Sequence, residues 1–257
     1  VTARHILLCI SQNLEGHNDP ADFLLALRRV RENGAKRIGV LHLSDEWSNA
    51  AMQYYHTVDY VIRNYWLPSV AKPSILAIPL GFATGFYPKA ADRRIQPPAR
   101  QARGRPWLWN FIGDVTNKPW RERLVDILKS DEVHALGAGF LQIERAVGGT
   151  MGKEQYREVL ATSKYTLCPR GFNHIESFRI YEALEVGSIP VIQDDAAYFA
   201  NLLGESHPLP ILDGNWTSLP ALLSSPDGRD LQRRCTRWWQ EHKEQLKRRV
   251  VAVVRTV

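Results

Sequence analysis

The stretch SKYTLCPRGFNHIESFRIYEALEVGSIPVIQDD, from Ser163 to Asp195, constrains the fold more than any other part of the chain. Tyr165 to Cys168 and Ile189 to Ile192 are short apolar runs of strand character. Between them Phe178 to Val186 carries Ile180, Ala183, Leu184 and Gly187 at offsets of three, four and seven. Those offsets give a helix one apolar face for packing on a sheet. Ser177 is placed to cap the helix and Gly187 to stop it. Strand, helix and strand in so short a span make a parallel β-α-β crossover, expected to be right-handed.

The same alternation runs through the chain. His5 to Ile10, Arg37 to Leu43, Tyr60 to Arg63 and Ser74 to Leu80 read as strands. A helix over about Asp19 to Asn33 and a helix-like stretch after Asp45 separate them. Residues 88–106, PKAADRRIQPPARQARGRP, break the rhythm with prolines and arginines and read as an exposed linker. Beyond it come a strand at Trp107 to Ile112, a helix from Pro119 to Lys129, a strand-like piece at Val133 to Leu136 and a helix at Lys153 to Thr162. From Leu219 the pattern is helical to the end. The expected fold is α/β, with two Rossmann-like parallel-sheet units at 1–100 and 107–257, joined near 88–106 and closed by a C-terminal helix.

Composition narrows the partners. The formal charge is +6, from 33 Lys plus Arg against 27 Asp plus Glu, which favours anionic ligands. Cys9, Cys168 and Cys235 are odd in number and far apart, so neither a disulfide framework nor a metal-ligand spacing is expected. No apolar run approaches the ~20 residues that span a bilayer, and no signal peptide is apparent. The chain begins at Val1, as a fragment or processed product would. Asn215-Trp216-Thr217 fits a glycosylation acceptor, relevant only in a secretory setting.

The loop Pro169 to Glu176 lies where a strand ends and a helix begins, so free backbone N–H groups and the positive end of the helix dipole make an anion site there. Arg170 and Arg179 add fixed positive charge, suited to a diphosphate. Glu182, one turn on, shares a stripe with Phe178 and Glu185 away from the apolar face. A carboxylate there can accept hydrogen bonds from the two hydroxyls of a ribose. Against this stands a plain alternative, in which Arg179 and Glu182 form a surface ion pair at a spacing of three and Arg170 caps a loop. Glu176 has no assigned role in either case.

TLCPRG followed by SFRIYEALEVGSIPVI closely resembles the signature segment of the exostosin-like (GT47-type) glycosyltransferases, the family that includes plant cell-wall transferases and ribitol xylosyltransferase. NFIGDVTNKPWRERLVDIL, from Asn110, looks like that family's first strand and helix of the nucleotide-binding domain. The resemblance covers about residues 107–195. It implies a GT-B fold of two domains facing across a cleft, an acceptor domain at 1–100 and a nucleotide-sugar domain at 107–257. It further implies inversion at the sugar without an essential metal, a UDP-sugar as substrate rather than a bound cofactor, and a glycan or polysaccharide acceptor. By position, Arg170 and the backbone near Gly171 meet the diphosphate, Glu182 the ribose, and Ser177 and Arg179 the phosphate or sugar. Gly113 lies at the cleft floor, with Arg121 or Arg123 adding charge.

An inverting transfer needs a base for the acceptor hydroxyl. GVLHLSDEWS, residues 39–48, puts His42, Asp45 and Glu46 at the end of a strand; Asp45 is preferred, Glu46 second, and His42 reads as a packed histidine. Asp45 is equally a helix cap. Asp194 and Asp195 are placed to touch sugar hydroxyls, with no third ligand for a metal. A retaining transferase would want a carboxylate seven positions before Glu182, where Ile175 stands. A non-catalytic glycan- or polyanion-binding module is the remaining alternative. The tail from Arg229 to Arg255 has nine basic and three acidic residues, with Trp238 and Trp239 adjacent. It reads as a helix packing its tryptophans, or as a basic surface for peripheral membrane contact. Nucleic acid is not an expected partner. A cytoplasmic or inner-membrane setting is expected for a bacterial source and the Golgi lumen for a eukaryotic one.

Overall fold

The structure, a computed structural model, describes residues 4–11, 20–47, 52–87, 105–144, 151–193 and 197–255. It divides into two compact units, one of residues 1–79 with 243–257, the other of residues 80–242. The division falls at Pro79 and Leu80 rather than within 88–106, and the last part of the C-terminal helix joins the first unit. Most of the expected linker, residues 88–104, lies outside the described residues. Arg105, assigned to that linker, is instead built into the second unit. Its buried guanidinium donates to the carbonyls of Leu160, Ser163 and Val186 at 3.3, 2.7 and 2.9 Å.

The first unit is a four-stranded parallel sheet in the order β1 (His5–Ser11), β2 (Arg37–Leu43), β3 (Tyr60–Arg63), β4 (Ile75–Ala77), with helix α1 (Pro20–Glu32) between the first two strands. Ile38, Val40 and Val61 face a core with Leu27 of α1. Tyr60, Ile62 and Leu76 face the other way and receive Val250, Val253 and Val254 of the terminal helix. Alternation along a strand sends neighbours to opposite faces, and both faces of a parallel sheet need cover. In place of the helix expected after Asp45, the described residues hold only a 3-10 turn at Gln53–His56.

The second unit is a five-stranded parallel sheet. Its elements are β5 (Trp107–Asp114), α2 (Pro119–Leu128), α3 (Asp131–Leu136), β6 (Gly139–Glu144), α4 (Lys153–Ala161), β7 (Ser163–Cys168), α5 (Phe178–Glu185), β8 (Ile189–Gln193), α6 (Tyr198–Leu203), β9 (Ile211–Leu212), α7 (Leu219–Ser224) and the long α8 (Gly228–Arg255). The order β6-β5-β7-β8-β9 reverses direction between β5 and β7, the crevice where ligands of doubly wound sheets bind. Val133 to Leu136, expected as a strand, is helix α3. The Ser130 side chain accepts the Val133 N–H, and Asp131 and Glu132 fill its first turn, a capped helix start that outweighs the short apolar run. Gly187 stops α5 with φ 74, and Ser188 N–H returns to the Ala183 carbonyl at 2.9 Å, closing the helix as a left-handed C-terminal residue does.

Helix α5 departs from the one-sided pattern. Glu182 and Glu185, expected to face away from the core, are buried along with Ile180, Tyr181, Ala183 and Leu184. The outer side is covered too: Trp239 of α8 stacks on Tyr181 at 5.8 Å between ring centroids and donates its indole N–H to Glu185 at 2.7 Å. The tryptophan of the tail is thus a packing residue. Among the described residues no helix is long and apolar enough to cross a membrane.

Candidate functional site

The carboxyl ends of β5 and β7 are held together by one side chain. Arg121, buried in α2, donates to the Asp114 carbonyl at 2.8 Å and to the Arg170 carbonyl at 2.9 Å. Rather than offering its whole guanidinium to a ligand, it fastens the turn after β5 to the loop after β7. The turn is itself rigid. Thr116 N–H bonds Asp114 Oδ1 at 2.8 Å, Asn117 takes φ 56, and Lys118 Nζ bonds Asp114 Oδ2 at 2.5 Å and the Thr116 carbonyl at 3.1 Å. The Lys118 bond, with help from the Thr116 N–H, pulls the Asp114 carboxyl down to about 2.

Across the crevice lie the residues the sequence selected. The Arg170 guanidinium rests over the Trp120 ring at 5.2 Å, while its backbone N–H reaches Gln193 Oε1 at 3.3 Å. Arg179, in the first turn of α5, donates to the Ile112 carbonyl at 2.5 Å and lies 5.4 Å over the Phe111 ring. A Cβ on Gly113 would stand 2.9 Å from Arg179 Nη2, so glycine there makes room for the guanidinium. Gly171 is buried in the loop between. Ser177 occupies the N-cap position of α5 with extended backbone, yet its hydroxyl makes no cap bond. The Nε atoms of Arg170 and Arg179 and the Oγ of Ser177 are all buried without a hydrogen-bond partner among the described residues. Buried polar atoms are nearly always paired, and three orphans at one loop-helix junction fit a ligand rich in acceptor oxygens.

Both glutamates of this segment hold the chain that enters the second unit. Glu182 accepts the Ala83 N–H at 3.0 Å on Oε1 and the Tyr156 hydroxyl at 2.7 Å on Oε2. Glu176 accepts the Leu80 N–H at 2.9 Å, the Tyr198 hydroxyl at 2.7 Å and the Tyr181 hydroxyl. Burial raises the Glu176 carboxyl, and the tyrosine bonds oppose it. Phe86 anchors the far end of the same segment in a cluster with Ile112, Val159, Leu160 and Val186. No ion pair is found between Arg179 and Glu182 among the described contacts; each turns to other groups. Asp194 and Asp195 lie outside the described residues. Among those described, no group of three His, Cys, Asp or Glu side chains is arranged to hold a metal.

In the first unit, Asp45 is turned inward. Its Oδ2 pairs with Arg63 Nη2 at 2.9 Å, and the two side chains are 1% and 0% exposed. Arg63 also donates to the Asn64 carbonyl at 3.0 Å and the Tyr55 hydroxyl at 3.2 Å. The pair arises from register, since His42 near the end of β2 stands beside Arg63 at the end of β3. His42 is packed, as expected: its Nδ1 meets the hydroxyls of Tyr55 and Tyr54 at 2.6 and 3.1 Å. Burial first, and Arg63 second, lower it to about 4. Glu46 is half-buried beside them.

The description "RXYLT1 C-terminal domain" matches residues 93–257. The chain belongs to that family. Its similar relatives are ribitol-5-phosphate xylosyltransferase 1 of Danio rerio, 29% identical over 215 residues, and of Mus musculus, 29% identical over 252. The Homo sapiens protein of the same name is 28% identical over 249 residues. These alignments cover 77%, 88% and 88% of this chain and 48%, 55% and 55% of the relatives. The chain thus spans about half the length of the curated relatives it matches. Over 89% of this chain and 80% of the other, a solved alpha1,3-fucosyltransferase superposes with a TM-score of 0.46 at 12% identity. The family places this chain among exostosin-like, GT47-type proteins, as TLCPRG and SFRIYEALEVG suggested.

Several residues around this crevice and its loop escaped sequence reading. Lys118 and Asp114 form an i,i+4 pair inside the quoted NFIGDVTNKPW, a spacing visible in the sequence. Trp120, Tyr156 and Tyr198 carried no such signal, since their partners lie far away in the chain.

Proposed function

We propose that the protein is a glycosyltransferase whose second unit holds a nucleoside diphosphate sugar at the carboxyl ends of β5 and β7. The observation that carries this reading is the set of three buried, unpartnered atoms, Arg170 Nε, Ser177 Oγ and Arg179 Nε, at the start of α5. Diphosphate oxygens would satisfy all three. The two guanidiniums and the helix start then stabilise the charge that develops on the departing diphosphate, the service a metal gives elsewhere. UDP is the nucleotide the family resemblance implies, and the relatives' name, ribitol-5-phosphate xylosyltransferase 1, favours xylose as the sugar and ribitol 5-phosphate as the acceptor.

Inversion follows one displacement. The acceptor oxygen attacks the anomeric carbon, the bond from that carbon to the diphosphate oxygen breaks with its electron pair leaving on UDP, and a carboxylate takes the hydroxyl proton. In this reading the base is a carboxylate at the end of β2: Asp45 lies in a buried pair with Arg63, and the half-buried Glu46 is the more exposed of the two. Glu182 receives the ribose hydroxyls on the lone pairs left by Ala83 and Tyr156. It is 3% exposed, so the turn above it must shift; Gly81 and Gly85, at φ 74 and 86, bracket that turn.

A thermal-shift series with UDP, GDP, CMP and their sugar conjugates tests the donor site, because ligand binding to the native state raises the melting temperature. UDP and UDP-xylose should give the largest shifts, and these should persist in EDTA. Transfer to a ribitol-phosphate acceptor, with the product anomer read by NMR, tests the chemistry. If no nucleoside diphosphate shifts the transition, the donor reading is wrong.

A further inference from the structure

Phe172, two residues beyond Arg170, is 61% exposed although it stands in the loop that feeds the start of α5. Leaving a phenylalanine in water forgoes roughly 1.5–3 kcal/mol of burial. The side chain is nevertheless held. Lys118 Nζ lies 5.0 Å from the ring centroid, and Lys118 is itself only 3% exposed. Its ammonium is fixed by Asp114 Oδ2 at 2.5 Å and the Thr116 carbonyl at 3.1 Å, and the turn is closed by Lys118 N–H on the Val115 carbonyl at 3.0 Å. Arg121 ties that turn to the Arg170 carbonyl at 2.9 Å. The Phe172 ring is thus engaged by a buried cation on a rigid turn, two residues along the loop from Arg170, whose Nε is one of the orphaned donors.

We propose that Phe172, supported from beneath by Lys118, is the surface on which the nucleobase of the donor stacks. The inference rests on the donor-site reading above and extends it from the diphosphate to the base. A base lies one ribose away from the phosphates, so its platform must be near the anion cradle but outside it. Phe172 meets that condition through its two-residue separation from Arg170. The cation under the ring draws electron density from the opposite face. Such a face suits a planar base edged with carbonyl oxygens better than the C–H bonds of a sugar ring. Stacking of this kind accepts any base, so Phe172 supplies affinity and leaves the choice of base to other groups.

The test uses the intact chain and two probes, UDP and inorganic pyrophosphate, measured by calorimetry. Base–aromatic stacking is worth ~1–3 kcal/mol, so Phe172→Ala should weaken UDP roughly tenfold or more while leaving pyrophosphate affinity unchanged. Phe172→Trp should keep UDP affinity, and the introduced indole should lose fluorescence on UDP addition. Lys118→Met should weaken UDP in the same direction as Phe172→Ala, through loss of the support. Equal losses for UDP and pyrophosphate in Phe172→Ala, or UDP binding to Phe172→Trp without a change in emission, would overturn the proposal alone. If the unaltered chain binds no nucleoside diphosphate, the donor-site reading falls and this inference with it. Circular dichroism of each variant, with a melting transition like that of the unaltered chain, separates these results from misfolding.

Discussion

Replacing Asp45 with Asn separates a structural carboxylate from a catalytic one. Asn keeps the size of the side chain and one carbonyl acceptor, so the change removes charge and little else. The pair is 2.9 Å long with side chains 1% and 0% exposed, so Arg63 is left with its buried charge and, among the described residues, with neutral hydrogen-bond partners: the Asn64 carbonyl, Tyr55 and Met52. Breaking a buried pair in this way costs roughly 3–5 kcal/mol. The retained hydrogen bond recovers about 1 kcal/mol, which leaves a loss near ~3 kcal/mol. At ~2–4 °C per kcal/mol for a chain of this size, the melting midpoint should fall by roughly 6–12 °C. Thermal and urea unfolding followed by far-UV circular dichroism measure it. Asp45→Leu combined with Arg63→Met should recover most of the loss, because an apolar replacement of both partners is often neutral. A variant that melts where the unaltered chain does, yet has lost turnover, would refute the structural assignment and return Asp45 to the role of base.

Two further outcomes follow from the geometry. The folded-state value of His42 is lowered to about 4 from 6.5, so the unfolded chain takes up the proton first. Its contribution is therefore complete above pH 6.5 and is lost as pH falls toward 4, by up to about 3 kcal/mol; urea midpoints between pH 7 and 4.5 should show that slope, and His42→Gln should flatten it. Gly113→Ala would bring a Cβ to 2.9 Å from Arg179 Nη2 and push the guanidinium from the Ile112 carbonyl. UDP affinity measured by calorimetry should drop severalfold with little change in melting temperature; unchanged affinity would show that Arg179 does not depend on that opening.

The β-α-β crossover from Ser163 to Gln193, the alternation around it and the charged loop at its centre were legible in the sequence, because periodicity and caps are local. Arg170, Ser177 and Arg179 were found the same way, since strand end, loop and helix start follow one another in the chain. The α3 segment was misread because a short apolar run does not reveal its period, and the Ser130 cap decided it. Glu176 and Glu182 show where local reading stops. The spacing on α5 marked Glu182 as outward-facing and Glu176, in the loop before the helix, had no assigned role, yet Leu80 and Ala83, 96 and 99 positions away, deliver N–H groups to the two buried carboxylates. Asp45 is similar: its neighbours suggested a cap or a base, while parallel pairing of β2 with β3 brought Arg63 to it. What the sequence by itself determined was the alternating α/β pattern and the types of group gathered at the start of α5. Tertiary structure alone decided which of those groups are spent on the protein and which buried donors stay unpaired, because that depends on partners distant in the chain that no local period records.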